Sequence, residues 1–235
     1  MNKPYVVGMD MGGTNTVFGI VDTRGNVVSK SAVKTGTHSD VNLYINDLYA
    51  EMSKLIDAVG GKDKIKGIGV GAPNGNYYTG RIEFAPNLPW KGQIPFAELM
   101  SAKFGLPTAL TNDANAAAVG EMTYGAAKGI KLFIMITLGT GVGSGIIIDG
   151  KVVYGHDGFA GELGHTTSVK NNGRACGCGK TGCLETYASA TGVARTAREM
   201  LEFNKEDSLL RNIPIDSITS KDVYEAAIQG DKIAK

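Results

Sequence analysis

The sequence predicts an α/β protein with two similar lobes around a cleft. Three observations carry that prediction. Strand-like and helix-like segments alternate, one glycine hairpin occurs twice, and 235 residues with 43% apolar and 20% charged side chains suit a folded chain with a sizeable core.

The elements follow in order. Tyr5–Asp10, Val17–Asp22 and Val27–Val33 read as three short strands, joined by Gly12-Gly13-Thr14 and by the turn Thr23-Arg24-Gly25-Asn26. From Val41 onward, Tyr44, Ile45, Leu48, Met52, Leu55, Ile56 and Val59 recur at steps of three and four, which predicts one helical face that Gly60-Gly61 brings to an end. Ile65–Ala72 reads as a strand and Pro73-Asn74-Gly75 as a turn. Phe96–Phe104 reads as a short helix, Thr108–Thr111 as a strand and Asn112–Tyr124 as an alanine-rich helix. A further helix is predicted over Ser220–Gln229.

Residues 134–153 repeat the pattern of residues 7–28: Gly139 stands where Gly12 does and Asp149 where Asp22 does, before a two-residue deletion in the turn. Duplication implies two lobes, each aiming a glycine hairpin at a shared cleft. The boundary is expected after residue 112, with a smaller lobe over 1–112 and a larger one over 113–235.

Charge and composition exclude several classes. Lysine and arginine total 24 against 23 acidic residues, so a net charge of +1 gives no field to hold a polyanion, and nucleic acid is not an expected partner. No stretch approaches the roughly 20 apolar residues of a membrane span, and Tyr5–Met9 is too short for a signal-peptide core. Cys176, Cys178 and Cys183 are the chain's 3 cysteines. They cannot all pair, and their close spacing points to a metal site in a reducing compartment, with the cytoplasm as the expected address.

The 33 glycines, about double the usual share of roughly 7%, cluster where chemistry is expected. Asp10-Met11-Gly12-Gly13-Thr14-Asn15 sets an acid at a strand end, two glycines in the turn and a hydroxyl beyond them. Bare glycines let backbone N–H groups converge on phosphate oxygens, and the acid can hold hydrated Mg²⁺. Gly139-Thr140-Gly141-Val142-Gly143 supplies a second such loop, so the two could close on ATP. The glycine spacing there does not satisfy the dinucleotide fingerprint, and a strand follows it rather than a helix. Gly179-Lys180-Thr181 resembles the end of a Walker A loop, but Arg174 stands where that loop needs its first glycine.

Asn112-Asp113 joins a strand to a helix. Asp113 at or near the N-cap could merely satisfy helix N–H groups, or it could act as general base for a substrate hydroxyl. His165, Cys176, Cys178 and Cys183 suit a closed tetrahedral Zn²⁺ site, structural because four protein ligands leave no open position. Glu162 and Glu185 flank that site, and a pinned loop would orient both carboxylates toward sugar hydroxyls.

Taken together, these motifs resemble the ROK family of bacterial sugar kinases and repressors. The similarity runs through Asp10–Thr14, Asn112–Ala118, Leu138–Gly143, Glu162–His165 and the run Cys176–Glu185, over essentially the whole chain. The resemblance implies a duplicated actin-like, ribonuclease H-like ATPase fold, ATP with Mg²⁺, a hexose in the cleft and a homodimer. It implies Asp113 as catalytic base and Asn87, Asn112, Glu162, His165 and Glu185 as hexose ligands. His165 would give one ring nitrogen to Zn²⁺ and turn the other toward the sugar. Asp10, Gly12, Gly13, Thr14, Asn15, Gly139, Thr140 and Gly141 would hold ATP.

Ala85-Pro86-Asn87-Leu88-Pro89-Trp90 is most similar to the family's glucose-phosphorylating members, so phosphoryl transfer to the 6-hydroxyl of glucose is the expected reaction. N-acetylmannosamine, N-acetylglucosamine or fructose stay open as acceptors. A transcription repressor is the rival from another class, and the strand at Tyr5 leaves no space before it in this sequence for a helix-turn-helix. A zinc-stabilised sugar-binding protein without catalysis would leave both glycine loops without a role. Two departures bear on the site. Asn74 replaces the glycine that many members carry after the proline. The family's adenine-binding glycine segment and returning helix have no counterpart before Lys235, which implies weak nucleotide binding by a chain of this extent.

Overall fold

The computed structural model describes residues 3–235. The elements run β1 (Tyr5–Met11), β2 (Asn15–Asp22), β3 (Val27–Lys34), α1 (Val41–Ala58), β4 (Ile65–Ala72), β5 (Gly75–Asn76), β6 (Arg81–Glu83), β7 (Gln93–Ile94), α2 (Phe96–Phe104), β8 (Thr108–Asn112), α3 (Asp113–Tyr124), β9 (Phe133–Leu138), β10 (Val142–Ile148), β11 (Lys151–Val152), α4 (Glu185–Ala188), α5 (Ala190–Phe203) and α6 (Ser220–Ile228). The alternation of strands and helices is the mixed α/β class that the sequence predicts.

By its contacts the chain divides into two compact units. The first takes the residues up to Met135 together with Gly145–Gly161, and the second takes Ile136–Ser144 with Glu162–Lys235. This division lies elsewhere than the boundary expected after residue 112, because α3 packs on β4 and β8 and so counts with the first unit.

The first unit is built on a five-stranded sheet of order β3-β2-β1-β4-β8. β1, β2 and β3 pair antiparallel as the predicted meander, while β4 runs parallel to both β1 and β8. Alternation along β1 buries Val7, Met9 and Met11 and leaves Val6 outside. Asp40 starts α1 by accepting from the Asn42 N–H, and the predicted stripe Tyr44, Ile45, Leu48, Met52 and Ile56 is its buried face. That stripe joins Phe96, Met100 and Phe104 of α2 in one core with the sheet. β5, β6 and β7 form a small separate sheet, and a third sheet has the order β11-β10-β9.

The sequence repeat is a structural repeat: β1 and β2 correspond to β9 and β10, each pair joined by a glycine loop. The deletion in the second copy has a local cause. Asp22 closes the first turn by accepting from the Arg24 and Asn26 N–H groups, whereas Asp149 and Gly150 both have positive φ, as a two-residue Asp-Gly hairpin turn requires.

In the second unit, Ala197, Leu201, Leu210, Ile218, Val223, Ala226 and Ile233 form a core around α5 and α6. Thr219 and Asp222 make a reciprocal capping box at the start of α6. α5 is not among the elements expected from the sequence, although Ala194, Ala197 and Leu201 recur at steps of three and four along its buried face. No helix among the described residues is long and apolar enough to cross a membrane.

Candidate functional site

In the first unit the parallel strands bring their C-terminal ends together. Asp10, near the end of β1, pairs with Gly71 of β4, and Gly71 in turn pairs with Thr111 of β8. Asp113 begins α3 directly after β8. A Cβ on Gly71 would meet the Ala116 Cβ at 3.1 Å and the Asp113 Cα at 3.4 Å, so the bare glycine is what lets the start of α3 settle over β4. The two acids sense each other: the Asp10 carboxyl is raised above its ordinary value, first by burial and then by the Asp113 charge.

The N-cap of α3 is Asn112, whose Oδ1 accepts from the Ala114 N–H at 2.8 Å and the Asn115 N–H at 3.4 Å. Asp113 stands one position inside the helix, and its Oδ1 also accepts from the Ala114 N–H, at 2.8 Å. With the Asn112 oxygen occupied by the cap, its amide NH₂ is the group left to meet a ligand.

The first glycine loop is compact. Gly12 N–H donates to the Asn15 carbonyl at 3.0 Å. A Cβ on Gly13 would stand 3.1 Å from the Asn87 carbonyl and 3.5 Å from its Nδ2, so Asn87 lies against Gly13. Asp10, Gly12, Gly13, Thr14, Asn15, Asn87, Asn112 and Asp113 therefore all belong to the first unit. Asn74 has φ +50°, the left-handed region that glycine and asparagine tolerate best, and its Nδ2 donates to the Glu83 carbonyl at 3.0 Å.

In the second unit the Gly139-Thr140-Gly141 loop closes through Gly139 N–H donating to the Gly141 carbonyl at 3.0 Å. Its carbonyls are tied to the start of α5: Ala190 N–H donates to the Gly139 carbonyl and the Thr191 hydroxyl to that of Thr140, both at 2.9 Å. Glu185, at the start of α4, accepts from the Val142 N–H at 2.9 Å through Oε2. A Cβ on Gly141 would fall 2.3 Å from that oxygen, so any larger residue there would displace the Glu185 carboxylate.

His165, Cys176, Cys178 and Cys183 bring one ligand atom each to within 4.8 Å of one another. Cys176 Sγ lies 3.6 Å from His165 Nδ1, and Cys178 Sγ lies 3.7 Å from Cys183 Sγ. A zinc ion with Zn–S bonds of about 2.3 Å has tetrahedral edges of about 3.8 Å, so the donor set fits. Burial pushes the Cys183 thiol up to about 11, with the neighbouring thiols adding to the effect, while the Lys180 N–H pulls Cys178 down. A cation among the three sulfurs would take them as thiolates. Glu162 leads into the turn Leu163–His165, its carbonyl accepting from the His165 N–H at 3.0 Å.

Three contributors escape sequence reasoning. Arg174, with a side chain only 9% exposed, donates to the Thr186 and Gly192 carbonyls and to Thr196 Oγ1, pairs with Glu199, and lies 4.5 Å from the centre of the Tyr187 ring. It fastens the cysteine loop to α4 and α5. Thr35 and Thr191 hold the glycine loops. None of the three carries a local signal, because their partners lie 12 to 51 positions away in sequence.

A profile described as the ROK family matches residues 6–235. A glucokinase of Halalkalibacterium halodurans is 39% identical over all of this chain and 72% of its own length. A ROK family glucokinase of Streptomyces griseus, solved with glucose and AMPPNP, is 36% identical with a TM-score of 0.77, covering 98% of this chain and 73% of that one. A ROK family transcriptional regulator, a homologue of the E. coli MLC protein, is 25% identical with a TM-score of 0.85 over 98% of this chain and 57% of its own. The chain thus spans about seven-tenths of the length of the glucokinases it matches.

Proposed function

The chain belongs to the ROK family, and from that premise we propose that it is an ATP-dependent hexose kinase that phosphorylates glucose at its 6-hydroxyl. The observation that carries this reading is that Asp10 stands near the end of β1 and Asp113 follows β8, on either side of β4, with Asn87 against the first glycine loop. That grouping supplies a proton acceptor and a phosphate cradle within one unit.

In the reaction the sugar oxygen attacks the γ-phosphorus, the bond from that phosphorus to the β–γ bridging oxygen breaks, and the hydroxyl proton passes to the Asp113 carboxylate. The backbones of Gly12–Thr14 and Gly139–Gly141, through the N–H groups not donated within the loops, would stabilise the charge that builds on the phosphoryl oxygens. Asn87, Asn112, Glu162, His165 and Glu185 hold the sugar's hydroxyls, which orients the acceptor and fills the space that water would otherwise take. Mg²⁺, held at Asp10, would neutralise phosphate charge; the raised carboxyl of Asp10 supports that placement, since a cation relieves its repulsion with Asp113. Zinc on His165, Cys176, Cys178 and Cys183 would be structural and would fix the loop that bears Glu162 and Glu185. A cytoplasmic homodimer with one ATP site and one hexose site per chain completes the reading.

The regulator among the structural matches shares this fold, so fold alone does not choose between kinase and repressor. The acid does. Asp113→Asn lowers turnover by roughly 10² to 10⁴ in a coupled assay with glucose and ATP while glucose affinity stays within a few-fold. Turnover retained in the variant would assign the proton to another group.

A further inference from the structure

The first glycine loop is backed by a chain of hydroxyls that runs out of α1. Tyr44 Oη lies 2.5 Å from Thr16 Oγ1, which lies 2.9 Å from Thr35 Oγ1, and Thr35 Oγ1 donates to the Gly12 carbonyl at 2.8 Å. All three side chains are fully buried. The direction of the chain is forced. A carbonyl can only accept, so the Thr35 hydrogen goes to Gly12; Thr35 must then accept from Thr16, and Thr16 from Tyr44. Every link is satisfied, with Tyr44 as the terminal donor.

Thr35 grips the loop a second time, its N–H donating to the Thr14 carbonyl at 3.0 Å. The described residues contain no cis peptide bond, and in a trans peptide the C=O and the following N–H point in opposite directions. Holding the Gly12 and Thr14 carbonyls inward therefore turns the Gly13 and Asn15 N–H groups outward, on the side where Thr14 and Asn15 are exposed. The second loop repeats the device within its own unit. Ala190 and Thr191 hold the Gly139 and Thr140 carbonyls, which turns the Thr140 and Gly141 N–H groups away from α5.

We propose that Thr35, driven by Thr16 and Tyr44, and Thr191 in the second unit are positioning residues that preset the N–H groups of the two glycine loops for the nucleotide's phosphates. The proposal rests on reading these loops as the phosphate cradle. It assigns a task to buried polar groups whose hydrogen-bond chain has its one outlet on the loop, at the Gly12 carbonyl. A loop set in advance spends no binding energy on ordering itself around the phosphates.

The test separates nucleotide from sugar. Thr35→Val should raise the KM for ATP and the Kd for AMPPNP about tenfold, the effect of losing one buried hydrogen bond, while the KM for glucose stays within about twofold. Thr35→Ser, which keeps the hydroxyl, should return ATP affinity to within about threefold of the parent, and Thr191→Val, at an exposed position, should weaken ATP by at least about threefold. A folded Thr35→Val with unchanged ATP affinity, or with equal losses for ATP and glucose, overturns the proposal. Should that variant not fold, Tyr44→Phe keeps the volume and removes only the terminal donor, and unchanged AMPPNP binding there overturns it as well. Parent protein that binds no AMPPNP refutes the phosphate-cradle reading itself, an outcome distinct from the failure of the positioning role.

Discussion

Asp10 carries a carboxyl raised by burial and by Asp113, and the direction of that shift sets the sign of a pH effect. Its folded value lies above its unfolded one, so as pH rises the unfolded chain releases this proton first and stability falls through the interval between the two values. Asp10→Asn removes that penalty. The variant should melt at a higher temperature than the parent at pH 7 in the absence of Mg²⁺ and nucleotide, with the advantage shrinking as pH falls toward the ordinary carboxylate range, and it should phosphorylate glucose more slowly. Equal melting temperatures at pH 7 would show that the folded chain does not penalise the Asp10 charge. Sequence reading set an acid at each of these strand ends from hydrophobic pattern alone. It could not show that the acids share a region, because that follows from β4 lying between β1 and β8 and from Gly71 leaving room above it.

Among the elements, the loop from His165 to Cys183 was legible in advance as a ligand set, since one imidazole and three thiols at that spacing have few other uses. What holds the loop against α4 and α5 was not. Arg174 does so through carbonyls, a hydroxyl, Glu199 and the Tyr187 ring. Arg174→Met should cost about 2 kcal/mol of stability in urea unfolding, because Glu199 is 40% exposed and can be rehydrated whereas the freed carbonyls cannot all be. Arg174→Lys should recover less than half of that loss, since an ammonium cannot reproduce the planar fork of the guanidinium. A change under about 0.5 kcal/mol for the methionine variant would remove Arg174 from this role. α5 is different, since its buried Ala194, Ala197 and Leu201 recur at steps of three and four and so were legible locally.

At the scale of the whole molecule, a metal that binds only the folded chain stabilises all of it by mass action. The protein as purified should hold about one equivalent of zinc, consistent with a closed four-ligand site. Chelation should lower the melting temperature and raise the KM for glucose, and added zinc should restore both; Cys183→Ser should lose the metal. Less than about half an equivalent in carefully prepared protein would count against the four-ligand site. The sequence by itself determined the α/β class, the duplicated hairpins, the Cys/His cluster that could hold a metal and the two glycine loops, since each is written in residues adjacent along the chain or in a period that neighbours share. Only the tertiary structure decided which groups stand behind those loops. Thr35 reaches Gly12 across 23 positions and Thr191 reaches Thr140 across 51, and contacts of that span are set by strand order and helix packing, which leave no trace in local spacing.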